Sequence, residues 1–131
     1  MSEQKSVAIK KQVVKDIFTR IFDVSHSVES VFLSSTDGHP LANHSKKPLS
    51  EPTLAAMTSS CMALGDRIST EVNHNGCDFV IIQNQEGYMA LKRVGKKLVI
   101  TVVTNKDVNL GLLLSVVKNA ALNLEREINN Y

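Results

Sequence analysis

Apolar positions along the chain switch between helical and extended spacing, and the switches divide it into elements. Between Ser6 and Phe22, the residues Val7, Val14, Ile17, Phe18 and Ile21 fall on one helical stripe, with Lys10, Lys11, Lys15 and Arg20 mostly off it. This predicts an amphipathic helix with a basic outer face, either solvated or turned to a partner or membrane surface. Val31 to Ala42 (VFLSSTDGHPLA) then places Asp37-Gly38 between two extended runs. Gly38 tolerates positive φ, so the pair predicts a hairpin. Pro40 offers no N–H to a ladder, which makes the returning strand an edge strand.

After a polar break, Ser50, Glu51 and Pro52 read as a helix start, with Ser50 at the N-cap and the helix running to about Ser69. Leu54, Met57, Cys61, Leu64 and Ile68 step by three and four, which predicts that they lie on a sheet. The other side carries Ala55, Ser59, Met62, Ala63 and Asp66, mostly small residues in place of the Lys and Glu of a solvated face. Such a side either lets a second helix approach closely or is a plain Ala/Ser surface.

Downstream, Phe79 to Ile82, Tyr88 to Val94 and Leu98 to Val103 read as three strands joined by turns at Glu86-Gly87 and Gly95-Lys96-Lys97. The first and third are nearly continuous apolar runs, expected of strands covered on both faces. A last helix follows Asp107 and Asn109, either of which can cap it. Its stripe is Leu110, Leu113, Leu114, Val117, Ala121, Leu124 and Ile128. The expected fold is α+β, a three-layer α/β/α domain spanning residues 1–131 with a five-stranded antiparallel sheet.

Composition narrows the function classes. With 131 residues, 43% hydrophobic and 21% charged, the chain matches one soluble domain, and a net charge of +2 gives no support to nucleic-acid binding. No apolar run reaches the roughly 20 residues of a membrane span, so no membrane insertion is expected and the cytoplasm is the expected location. The two cysteines, Cys61 and Cys77, lack a disulfide or zinc spacing, and the single His74-x-x-Cys77 step has no second pair.

Catalytic patterns are equally thin, so no enzyme activity and no cofactor are expected. Gly95-Lys96-Lys97 lacks the preceding glycine and following Ser or Thr of a phosphate loop, and it falls between two strands. Ser34, Ser35 and Ser115 have no glycine-flanked elbow, and Cys61 reads as an inert core thiol.

The order of elements, with VFLSSTDGHPLA, EPTLAAMTSSCMALGDRI, EGYMALKRVGKKLVITVVT and Asn109-Leu110-Gly111, resembles the Roadblock family of dynein-light-chain type, in its bacterial branch. The resemblance runs from the first helix to about Ile128. It implies a profilin-like fold and a non-enzymatic dimer that regulates or scaffolds a Ras-like small GTPase in signalling or motility. GTPase activation, nucleotide exchange and simple tethering all stay open.

The same resemblance implies pairing of one edge strand across a two-fold axis, here Phe79, Val80, Ile81, Ile82 and Gln83. It further implies a platform of paired middle helices, here Ala55, Ser59, Met62, Ala63 and Asp66. Two other readings remain beside it, a PAS-like or profilin-like sensor of small molecules and a purely structural assembly subunit.

Overall fold

The computed structural model describes residues 10–129, so Val7 and the expected first turn of the first helix lie outside the described residues. The elements run α1 (Lys11–Val24), β1 (Val28–Ser35), β2 (Pro40–Ser45), α2 (Glu51–Glu71), β3 (Phe79–Gln83), β4 (Gly87–Val94), β5 (Leu98–Asn105) and α3 (Leu110–Asn129). The five strands form one antiparallel sheet in the order β2-β1-β5-β4-β3. Helices α1 and α3 pack together on one face and α2 lies on the other, which is the three-layer α+β arrangement.

Strand alternation explains the two unequal cores. Val31 and Leu33 of β1, Ala90 and Val94 of β4, and Leu98, Ile100 and Val102 of β5 point to the α1/α3 face. There they meet Val14, Ile17, Phe18 and Ile21 of α1 and Leu113, Val117, Ala121 and Leu124 of α3. Leu91 and Val99 point the other way, to Met62 of α2. Most of the buried apolar area therefore lies under the paired helices. The face beneath α2 is thinner and holds more polar side chains, including the buried hydroxyls of Ser34 and Thr101.

The hairpin forms as its residues require. Gly38 takes φ +94°, its N–H donates to the Ser35 carbonyl at 3.0 Å, and the Ser35 N–H donates to the His39 carbonyl at 2.9 Å. Pro40 opens β2, which is the sheet's outer strand, and the β1–β2 register shifts between Leu33 and Ser34. Asn109 caps α3, its side-chain oxygen accepting the Leu112 N–H at 3.0 Å. Ser50 stands at the N-cap of α2 but makes no side-chain cap bond; its hydroxyl donates to that of Thr53 at 2.9 Å. The far end of α2 extends past Ser69 and stops where Asn73 turns left-handed, with the His74 N–H donating to the Ser69 carbonyl and the Asn73 N–H to that of Thr70.

One strand departs from expectation. Phe79 to Ile82 is not covered on both faces, because β3 is the other outer strand and leaves Ile81 and Ile82 37% and 38% exposed. Its apolar character needs another explanation. Strand β5, central and buried, fits the expectation.

Candidate protein-protein interface

Helix α2 meets the sheet through its small side. Ala55 and Met62 are each 1% exposed and Thr58 is buried beside them, while Met57, Leu64, Ile68 and Val72 are 62%, 57%, 57% and 55% exposed. The two faces are thus the reverse of the sequence expectation. Ala55 and Met62 belong to the inner contact and are not available to a partner, and the stripe expected against the sheet points outward.

The physical reason is the distance between helix and sheet. A Cβ on Gly65 would come within 2.9 Å of Cys77 Sγ and 3.1 Å of Val80 Cγ2, so α2 lies too close to the approach to β3 for anything larger. On the opposite flank the Gly38 turn rests near Ala56 and Ser59, where a Cβ on Gly38 would lie 3.5 Å from each. The small residues admit the chain's own hairpin and strand. The bulky ones are displaced outward.

Asp66 is likewise engaged within the chain. One carboxylate oxygen accepts the Cys77 N–H at 3.1 Å and the other pairs with the Arg93 guanidinium of β4. This fastens α2 to the β3 approach and to the sheet. Burial pushes the Cys77 thiol above its ordinary pKa, and the nearby carboxylates of Asp66 and Asp78 add to the rise. Ala63 is exposed, but on the side of the helix away from the apolar stripe.

The exposed surface that results is one band. Met57, Leu64, Ile68 and Val72 recur at i, i+7, i+11 and i+15, a single helical stripe with half-buried Cys61 on its line. Cys61, Cys77 and Val80 pack on the Met62 cluster between this stripe and β3. Beyond them lies the open edge of β3, where Phe79, Val80, Ile81, Ile82 and Gln83 pair, among the described residues, only with β4. Lys92 places its ammonium 4.7 Å from the centre of the Phe79 ring, covering part of that edge.

No catalytic constellation competes with this surface for attention among the described residues. Ser35, Asp37 and His39 do meet at the hairpin, which sequence spacing alone did not indicate. Yet the Ser35 hydroxyl donates to Asp37 and accepts the His39 N–H at 3.0 Å, so it fastens the turn, and the carboxylate that receives its hydrogen bond is too weak a base to activate it as a nucleophile. That donated bond, with His39 adding a smaller effect, holds the Asp37 carboxyl below its usual pKa. Gly95-Lys96-Lys97 joins β4 to β5 and precedes no helix. No described helix is long and apolar enough to cross a membrane.

The Roadblock/LC7 domain family model matches residues 14–104, from the core of α1 to the end of the sheet. The chain belongs to this family. Among solved structures this Roadblock/LC7 chain is similar to MglB of Myxococcus xanthus, with a TM-score of 0.85 at 16% identity over 93% of this chain and 99% of that one. It is also similar to the gliding protein MglB of Thermus thermophilus, with a TM-score of 0.84 at 15% identity over 95% and 96%. Profilin II of Acanthamoeba castellanii shares the fold more loosely, with a TM-score of 0.58 at 18% identity over 84% of this chain and 94% of that one. A comparison with curated proteins finds no match.

The residues that sequence reasoning passed over are those of the outward stripe. One signal was present. Val72 continues the three-and-four stepping of Met57, Leu64 and Ile68 beyond Ser69, to the end of the helix and away from the sheet.

Proposed function

We propose that this Roadblock/LC7 chain is a non-catalytic, cytoplasmic regulator or scaffold of a Ras-like small GTPase and that it works as a homodimer. The observation that carries the reading is the apolar band of Met57, Leu64, Ile68 and Val72 beside the open edge of β3. Such an edge invites pairing with another strand, and a long apolar stripe seeks cover from water. Two β3 strands pairing antiparallel across a two-fold axis would bring two α2 stripes together, satisfying both needs with one contact.

The proposed platform for the GTPase is then the outer side of the paired α2 helices. Ser60, Ala63 and Arg67 are exposed off the stripe and would remain accessible once it is covered. The likeness to a gliding protein supports a place in motility or polarity signalling.

Two measurements test the proposal. Sedimentation of the full chain at micromolar concentration should give a dimer. Association with the Ras-like GTPases of the same organism, loaded with GDP or with a non-hydrolysable GTP analogue, should be nucleotide-dependent. A dimer that binds none of them in either state would leave the assembly-subunit reading in its place, and a monomer would remove the homodimer.

A further inference from the structure

A sensor of small molecules needs polar groups above apolar walls, and one place in the fold has them on the face opposite α2. Helices α1 and α3 cover β1, β5 and β4, but the inner side of β2 is only partly covered. Between α1 and β2 lies a groove of about 530 Å³, floored by Val14, Phe18, Leu33 and Leu98. Beside it the ring of Phe22 meets that of the lining residue His44 edge to face at 4.8 Å. Its helical wall presents Lys11, Val14, Lys15 and Phe18 at i, i+3, i+4 and i+7, a run of about 10 Å.

The charge along this groove has one sign. Among the described residues, every titratable side chain lining it is basic, namely Lys11 and Lys15 on α1 and His44 on β2. Lys46 lies beyond His44 on the same side, its ammonium 5.8 Å from the centre of the Phe22 ring. Asp16 beside Lys15 is turned to Gln12, whose side-chain amide donates to it at 2.8 Å. An apolar floor under lysines that are one helical turn apart favours a ligand with an aliphatic body and a single anionic head.

We infer that this groove is a binding site for an aliphatic carboxylate of about eight to ten carbons, its head held by Lys11 and Lys15 and its chain laid over Phe18, Leu33 and Leu98. The volume lies within the range of small-molecule sites, and the length of the helical wall sets the length of the chain. The site is independent of the dimer band, being on the other face of the sheet.

Calorimetric titration of the full chain with hexanoate, octanoate, decanoate and dodecanoate below their micelle concentrations tests it, with octylammonium as the cationic match. One saturable site per chain is expected, with affinity rising about fourfold per methylene up to decanoate and then levelling. The double variant Lys11→Gln/Lys15→Gln should weaken decanoate about tenfold, and Lys92→Gln, outside the groove, should leave it unchanged. Methyl signals of Val14, Leu33 and Leu98 should shift on titration. Equal binding of octylammonium, a double variant that binds like the wild type, shifts confined to other methyls, or no saturable binding at all would each overturn the inference.

Discussion

Replacing Leu64 by alanine separates the outer stripe from the fold. Leu64 is 57% exposed in the single chain, so its removal takes little from the core, and chain stability should change by less than about 0.5 kcal/mol. Full burial of a leucine side chain is worth about 1.5–3 kcal/mol. Somewhat more than half of that remains to be realised when a partner covers the stripe, or about 1–1.5 kcal/mol per copy. A two-fold axis makes the loss count twice, so the dimer should weaken by about 2–3 kcal/mol, or roughly 30- to 150-fold in Kd.

The assay is sedimentation equilibrium across a dilution series, with far-UV circular dichroism confirming that the variant stays folded. Ala63→Arg serves as the control, because Ala63 is exposed off the stripe and its replacement should leave the dimer intact. A Leu64→Ala dimer as tight as the wild type, or an Ala63→Arg variant that dissociates, would refute the orientation of α2 as the basis of the contact.

Met62→Ala should cost about 2–4 kcal/mol in urea unfolding, because Met62 is the buried centre of the α2 cluster and the site cannot collapse freely. Gly65→Ala should destabilise by about 1–3 kcal/mol despite the better helix propensity of alanine, and adding Cys77→Ala should recover much of the loss in a double-mutant cycle. Asp66→Asn should cost no more than about 1 kcal/mol, since the pair with Arg93 is partly open to water. In a Cys61→Ser background, iodoacetamide should label Cys77 at pH 8 more slowly than it labels a free cysteine. The raised thiol pKa keeps the nucleophilic thiolate scarce, and Asp66→Asn should speed the reaction. The sign for stability follows: the contribution from the raised thiol is full below the ordinary cysteine range and is lost as pH climbs through the folded value.

The hairpin, the edge position of β2, the central burial of β5 and the stripe of α1 were all legible, since each rests on local chemistry. Pro40 and Asp37-Gly38 act through their own backbones, and α1 has only one apolar side. Helix α2 was different because it is apolar on two sides. Periodicity finds both stripes but assigns neither to the sheet, and the usual preference for burying Leu and Ile over Ala and Ser chose the wrong one. What decides the matter is the closeness of Gly65 to Cys77 and of Gly38 to Ala56, contacts between residues distant in sequence. The run Phe79 to Ile82 misled for a related reason. An outer strand partly open to water has here the composition of a buried one.

The two borders of the sheet are unlike, and the difference limits how far assembly can grow. At β2 the proline that opens the strand and the shifted register beside it spoil the ladder for a newcomer. At β3 five residues present an unbroken ladder. Joining two chains through β3 uses the receptive border of each and leaves a ten-stranded sheet ended on both sides by β2. In the proposed dimer a third chain would find no matching border, so the feature that would drive association would also end it at two and keep an apolar strand from seeding fibres.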